Sequence, residues 1–286
     1  MTVPTSPVPN TSVTGPAELR LVTPQHRRPR TRRLWSTLPV RISVPAALVA
    51  VWWIGSATGA ISPQVLAGPA AVWNAIVELY QAGQLVDFTV ASLQRVILGV
   101  ALGVSVGLIL GVLSGLYTLG EELIDATMQI NRAIPFLALV PLFIAWFGID
   151  ETFKVLLIAV ATVSPMYGYS YLGVRNVDRK MIEAAQSFGL AGWRLIFGAI
   201  IPSALPGILM ALRICLSISI TALIAAEQVG TRKGIGYLVS LAQEYNRTDY
   251  MVLCVVLYAL LGLIFDAVVR LLERFSMPWR QGVAIR

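Results

Sequence analysis

Long apolar runs separated by short polar segments occupy most of the chain beyond residue 41. A helix needs about 20 apolar residues to cross the hydrocarbon core of a bilayer. Asp125 and Arg132 interrupt the first half of the third such run and Pro165 lies in the fourth, so these two have the least sharply defined ends. The pattern predicts an all-α integral membrane protein with about six transmembrane helices, at roughly 42–61, 90–115, 123–148, 154–173, 204–226 and 250–271.

Composition agrees with a membrane location. Of the 286 residues, 56% are hydrophobic and 13% are charged, and the mean hydropathy is +0.73. Soluble domains carry about 25% charged residues. Lipid is therefore the expected surrounding of most of the chain.

Residues able to carry chemistry are sparse. The two cysteines, Cys215 and Cys254, lie inside apolar runs and are expected to be packing residues. The single histidine, His26, lies in a polar segment. The apolar part of the chain therefore contains no histidine that could bind a metal or take part in a Ser-His-Asp arrangement. The nearest approach to a phosphate-binding loop, "GTRKGIG" (230–236), has its residues in the wrong order. We expect no catalytic residue, no metal site and no nucleotide site in this chain.

The chain ends differ from the apolar part. Residues 1–38 form a Pro/Ser/Thr-rich, basic segment that we expect to be a disordered cytoplasmic tail. A transmembrane domain is expected over 39–280, followed by a short cytoplasmic tail over 281–286. "TRRLW" (31–35) loosely resembles a twin-arginine export signal. The long apolar run and the further spans after it favour a retained anchor.

Basic residues are distributed unevenly between the two sides. With the N-terminus in the cytoplasm, fifteen lysines and arginines lie on inner segments and five on outer ones, and the outer loop 62–85 has none. Because inner loops of membrane proteins are enriched in these residues, both termini and the loop 174–203 are predicted to be cytoplasmic. The asymmetry accounts for the net charge of +7 without a nucleic-acid partner.

The second run carries a stripe of glycines at every fourth position. Such small residues let another helix approach closely, so we interpret the stripe as a tight helix contact within one subunit or across a dimer. Positions four apart drift by about 40° around a helix, so the stripe can meet more than one neighbour. Its members are Gly99, Gly103, Gly107, Gly111 and Gly115.

The cytoplasmic loop 174–203 contains a short amphipathic helix. Asp178 can cap its start, and Gly189 suits a left-handed stop. Such a helix either lies in the membrane interface or docks into a groove on a soluble partner. The small pair Ala184 and Ala185 beside Glu183 favours docking, because alanines permit close approach and gain little from lipid. The apolar face is expected to comprise Met181, Ile182, Ala185 and Phe188.

The same loop resembles a known signature. Glu183, Ala184, Ala185 and Gly189, with Pro202 after them, look like the "EAA" signature of membrane subunits of ATP-binding-cassette (ABC) importers. Further segments resemble the nitrate/sulfonate/taurine branch of that family: "ASLQRVILGVALG", "NRAIPFLALVPLFIAWFGI", "IPSALPGILMALRI", "AAEQVGTRKGIGYLV" and "LLGLIFDAVVRLLER".

The resemblance covers roughly residues 48–280 and implies a plasma-membrane (inner-membrane) permease that works as a pair of copies. Two cassette ATPases, which bind ATP and Mg²⁺, would lie below, and a soluble substrate-binding protein would lie above. The loop helix would be the coupling helix, with the ATPase contact formed by Glu183, Ala184, Ala185 and Gly189. The branch carries small anions such as aliphatic sulfonates, taurine or nitrate, and some heterocyclic precursors. Sulfonate or taurine is the preferred expectation.

Two positions depart from the family pattern. Ala191 stands where a serine often caps the second loop helix, and Ala199 stands where a larger aliphatic residue is usual. Neither change removes a contact group, but the second loop helix should be less well capped.

Polar groups inside the spans are either paired or functional. Arg213 and Asp266 lie at similar depths in the fifth and sixth runs, which predicts an intramembrane ion pair. Arg132 is expected to snorkel or to brace the inner mouth. Candidates for the translocation path are Ser164, Tyr169, Ser217 and Thr221, with Glu227 near the outer gate or the binding-protein contact. Ordinary hydrogen bonding between helices is the alternative for the hydroxyls.

A different class of function stays open, an ion-coupled secondary transporter in which Asp125 and Asp266 carry protons. It lacks clear inverted repeats and broken segments in matching halves. An intramembrane enzyme is disfavoured because the spans contain no histidine and no base–nucleophile pair.

Overall fold

The computed structural model describes residues 34–277, with side chains from Ser43 onward, and this part of the chain contains helices and turns but no strand. α1 begins at Leu34, so the last residues of the segment expected to be a disordered tail are helical; residues 1–33 and 278–286 lie outside the described part. The helices are α1 Leu34–Ala57, α2 Pro69–Gln81, α3 Gln84–Leu116, α4 Thr118–Ala133, α5 Val140–Phe147, α6 Glu151–Arg175, α7 Arg179–Ser187, α8 Gly192–Leu195, α9 Ile201–Glu227, α10 Ile235–Glu244 and α11 Thr248–Ser276. A 3₁₀ turn, Phe136–Leu139, precedes α5, and a π-helical turn, Ile196–Ile200, joins α8 to α9.

Four of the predicted spans are confirmed as helices long and apolar enough to cross a membrane. They are α3, α6, the stretch Gly192–Glu227 and α11. A fifth is present only if α4 and the segment Phe136–Phe147 are counted as one bent span. Within the described side chains, the first run is a shorter apolar helix, Ser43–Ala57. The count of six therefore stays a prediction.

The expectation of one continuous helix over 123–148 is wrong, because the chain bends by 85° between α4 and the segment that follows it. Proline disfavours helical geometry in the residue before it and supplies no backbone N–H. Ile134, which precedes Pro135, accordingly has extended backbone angles. α4 has no buried residue, in keeping with the charges Asp125 and Arg132 along it.

The glycine stripe lies directly against α6. A Cβ added at Gly99 would lie 2.6 Å from Ile158, and one at Gly107 would lie 2.5 Å from the carbonyl oxygen of Val163. All five glycines meet α6, so the contact lies within one subunit and the expected drift to a second neighbour is not observed. The contact therefore extends along α3 from Gly99 to Gly115.

The contact also fixes the direction of the helices. Gly99 meets Ile158 and Gly115 meets Val174, so α3 and α6 run parallel with a constant offset. Parallel spans joined in sequence require the chain to return across the membrane between them. α4 makes that return along α6, since Tyr171 donates to Glu121 at 2.6 Å and Tyr167 donates to Asp125 at 3.2 Å.

α9 packs antiparallel to α6. A Cβ at Gly207 would lie 3.3 Å from the Cα of Gly173, and further along the Cys215 thiol donates to the carbonyl of Thr162 at 3.3 Å. Cys215 and Cys254 are both buried and unpaired, which confirms their assignment as packing residues. The alternating directions of α6 and α9 agree with the predicted order of crossings.

Sequence reasoning missed α2 and α10. Both are short amphipathic helices, and their apolar faces bury Ala75 and Leu238 in a cluster with Leu253 of α11. Arg247 donates to Glu78 of α2 at 2.9 Å, and this hydrogen bond holds the pKa of the Glu78 carboxyl below its ordinary value.

We expect Gly107→Ala to destabilise the protein by about 1–3 kcal/mol, because the added methyl group meets backbone atoms of α6 that cannot move aside. Gly262→Ala is the matched control, since its Cβ would make an ordinary 3.5 Å contact with Ile220. Thermal unfolding in detergent measures both. Equal unfolding temperatures for the two variants would contradict the close packing of α3 on α6.

Candidate functional site

The loop helix α7 has both of the ends that the sequence predicts. The Asp178 carboxylate accepts a hydrogen bond from the Lys180 backbone N–H at 2.9 Å, which caps the first turn. Gly189 has φ of +84°, a conformation that residues with a Cβ rarely adopt. The Leu190 N–H then reaches back to the Ala185 carbonyl at 3.1 Å. α7 is thus a short helix with a defined length and a sharp stop.

One surface of α7 is exposed, and no other element of the described chain packs against it. Glu183, Ala184 and Gly189 are exposed, whereas Ala185 is half-buried. Phe188 is 88% exposed, which is unusual for a phenylalanine. The apolar face expected from sequence is therefore divided, with Ile182 and Ala185 turned toward the protein and Phe188 away from it.

The inner side of α7 rests on the start of the next membrane helix. Ser203 of α9 contacts the Met181 sulfur at 3.3 Å, and α7 also packs on the π-helical turn that precedes α9. Ala191 starts α8 without a side-chain cap, as its identity predicted, and Ala199 is buried in the π-helical turn. α7 therefore lies directly against the first turn of α9.

Glu227 lies in a buried polar cluster at the opposite end of α9. Its carboxylate accepts from Arg95 at 2.5 Å, from Ser92 at 2.6 Å and from the Gly236 backbone N–H at 2.7 Å. Its side chain is 0% exposed. The structure therefore encloses Glu227, whereas we expected it at the outer gate or the binding-protein contact. It holds the "GTRKGIG" segment against α3.

The same cluster ties α3 to α6. Arg95 donates to Glu151 at 2.8 Å through its second terminal nitrogen and to the Lys233 carbonyl at 2.7 Å. Lys154 adds a contact to Glu151 at 2.9 Å. Two carboxylates thus face two cations in a site where an unpaired charge would be costly.

The structure brings Arg213 and Asp266 together. Arg213 Nε lies 3.2 Å from Asp266 Oδ1, but no acceptor is aligned with its N–H, so the contact is an ion pair rather than a good hydrogen bond. Glu273 and Arg270 extend the cluster. Ser217 lines a small cavity of about 180 Å³ beside this pair.

The proposed translocation residues are not all at one site. Ser164 and Tyr169 line a cavity of about 550 Å³ between α6, α9 and the break after α4. Ser217 belongs to the cavity beside Arg213, and Thr221 is exposed. Sequence reasoning left Arg132 out of this group, although it lines the larger cavity. The signal in the sequence was that Arg132 lies two residues before Ile134-Pro135, where a helix is expected to end.

We expect Glu227→Gln to destabilise the protein by about 3 kcal/mol, because it breaks the buried ion pair with Arg95. This value is at the low end for such a change, since Arg95 keeps its ion pair with Glu151. The matched change Glu151→Gln should cost less than Glu227→Gln, since that side chain is 61% exposed and the glutamine oxygen can still accept from Lys154. Unfolding temperatures of the purified variants measure the difference. A larger loss for Glu151→Gln would show that Glu227 is not the central partner of Arg95.

Comparison with known proteins places this arrangement in a family. The family described as "Binding-protein-dependent transport system inner membrane component" matches residues 99–276. A putative aliphatic sulfonates transport permease protein, SsuC of Escherichia coli K12, is 42% identical over 85% of this chain and 92% of its own length. The taurine transport system permease protein TauC of the same organism is 33% identical over 85% of this chain and 90% of its own length.

A solved structure shows the same fold at lower sequence similarity. It is titled "Crystal structure of an amino acid ABC transporter with histidines", and it superposes with a TM-score of 0.58 at 19% identity. The superposition covers 70% of this chain and 97% of the solved chain. The chain therefore belongs to the inner membrane components of binding-protein-dependent transport systems, and it is a membrane permease subunit of an ABC importer.

Proposed function

We propose that this permease works as a pair of identical copies, imports a small sulfonate, and is driven by cassette ATPases docked on the α7 loop. ATP and Mg²⁺ are bound by those ATPases, and a soluble binding protein delivers the substrate from the outer side. In this proposal the chain contributes no catalytic group and holds no cofactor. Its own task is to provide a path and to open and close it.

The observation that carries this proposal is the uncovered surface of α7. Glu183, Ala184 and Gly189 present small and charged groups around the exposed ring of Phe188. A helix that only rests in the interface places its large apolar side chains on one lipid-facing side, whereas Ile182 of α7 turns toward the protein. The surface therefore suits a protein groove that accepts one aromatic ring.

The described contacts connect the exposed surface of α7 to the membrane helices α9 and α6. α7 rests on the π-helical turn and on Ser203 at the inner end of α9. α9 in turn packs on α6 through Gly207 and Gly173. Closure of two ATPases below the membrane would displace α7 and, through it, the inner half of α9.

The distribution of charge supports the orientation. α7 belongs to a loop rich in basic residues, which favours the cytoplasmic side. The parallel α3 and α6 and the antiparallel α9 agree with a topology in which both termini are cytoplasmic.

The substrate class rests on the relatives. SsuC is named for aliphatic sulfonates and TauC for taurine, which is itself a sulfonate. Nitrate, the third substrate expected from the sequence, has no such support. The ion-coupled alternative is disfavoured because the chain belongs to a family of binding-protein-dependent systems.

The proposal is tested by identifying what copurifies with the tagged protein from its native membrane in mild detergent. We expect a cassette ATPase with the wild type and its loss from the double variant Glu183→Arg/Gly189→Leu, which reverses a charge and adds a bulky side chain on the exposed surface of α7. Glu122→Arg is the matched control for the reversal of charge, because Glu122 lies on α4 outside that surface.

Membrane levels of the three proteins must be equal for the comparison. An ATPase that remains with the double variant would show that it docks elsewhere. If no ATPase copurifies with the wild type under conditions that preserve other importers, α7 is an interfacial helix and the ion-coupled mechanism is restored.

A further inference from the structure

Arg132 differs from four other cations on the membrane helices. Arg95, Lys154, Arg213 and Arg270 each contact a carboxylate. Arg132 makes no hydrogen bond and no ion pair with any residue of the described chain. An arginine in a membrane domain without a carboxylate partner either extends its guanidinium to the membrane interface or is available to bind an anion.

The position of Arg132 argues against simple snorkelling. It lies in the last turn of α4, immediately before the break at Ile134 and Pro135. A terminal nitrogen of its guanidinium occupies the space that a Cβ at Gly168 would fill, so it lies against the backbone of α6. Gly168 is seven residues from the inner end of α6, which places the guanidinium about 10 Å inward along that helix. The glycine thus lets the guanidinium lie directly against α6, although Arg132 itself is exposed.

The cavity beside Arg132 is lined by hydrogen-bond donors and apolar groups. Its volume is about 550 Å³, enough for a small organic anion. Arg132 is the one charged residue lining it, and its other polar side chains are Asn131, Ser164 and Tyr169. No carboxylate of the described chain lines this cavity, so nothing there repels an anion.

Ser164 provides an independent sign that the cavity can hold a polar ligand. It is 7% exposed, and its buried hydroxyl has no hydrogen-bond partner in the described chain. An unsatisfied buried hydroxyl costs free energy comparable to a lost hydrogen bond. A bound oxyanion would satisfy it, because a hydroxyl donates to an anionic oxygen.

The adjoining cavity contains a carboxylate that is already satisfied. Asp125 accepts from Gln129 at 2.6 Å and from Tyr167 at 3.2 Å. Arg132 lines this second cavity of about 470 Å³ as well. The guanidinium therefore lies between the two spaces and is not neutralised by Asp125.

We propose that Arg132, with Asn131, Ser164 and Tyr169, forms an oxyanion-binding site for the sulfonate group of the substrate on its way through the permease. A guanidinium presents two parallel N–H groups to two oxygens of such a group. The apolar lining by Phe136, Val160 and Ile218 leaves space for the short organic part. This inference rests on the proposed function, because it assumes that the transported solute is a sulfonate.

The experiment measures equilibrium binding of radiolabelled taurine and ethanesulfonate to the purified permease complex in detergent, without binding protein or nucleotide. Arg132→Gln should weaken binding at least tenfold, and Arg132→Lys should lose less because it keeps the charge. Arg270→Gln is the matched control, since it removes the same charge from α11 outside the cavity. Uptake into proteoliposomes should fall for Arg132→Gln and stay near the wild-type rate for Arg270→Gln.

If the wild type and Arg132→Gln bind the sulfonates with equal affinity, the proposed site is wrong, whereas the proposed importer function is unaffected. A wild-type complex that imports a different solute and binds neither sulfonate would overturn the site as well. If Arg132→Gln does not accumulate, sulfonate binding is measured on the double variant Ser164→Ala/Tyr169→Phe in its place. It removes two donors without changing charge and should weaken binding at least threefold; unchanged affinity contradicts the proposal.

Discussion

Direct packing of α3 on the backbone of α6 is the constraint on which the other features depend. Five glycines remove every side chain from one stripe of α3, so the two helices share an interface that tolerates no added methyl group. This contact sets α3 and α6 parallel and obliges α4 to return between their ends. The break after α4, the cavity beside it and the buried cluster at Arg95 all take their positions from this pair of helices.

The polar groups of the bundle divide into two kinds. Arg95 and Glu227 satisfy each other and, with Glu151, tie one end of α3, α6 and α9 together, which favours a fixed unit at that end. Ser164 and Arg132 lack such partners in the described chain. The satisfied cluster holds the structure, whereas Ser164 and Arg132 leave donors free at the proposed binding site.

The sequence predicted features that depend on local chemistry. The cap at Asp178, the stop at Gly189 and the helix contact at the glycine stripe each follow from a few neighbouring residues. The bend after Ala133 was missed although Pro135 supplied a local signal for it. The buried position of Glu227 was missed because it depends on partners distant in the chain. Arg95 is 132 residues from Glu227, and no periodic pattern indicates that pairing.

The central claim is that the exposed surface of α7 contacts a cassette ATPase, and photo-cross-linking tests this most directly. A benzophenone amino acid is placed at Ala184, or at Leu263 on the exposed side of α11 as a control, and intact membranes are irradiated. The account predicts an adduct between Ala184 and a cassette ATPase and none from Leu263. An adduct with lipid alone at Ala184 would contradict it.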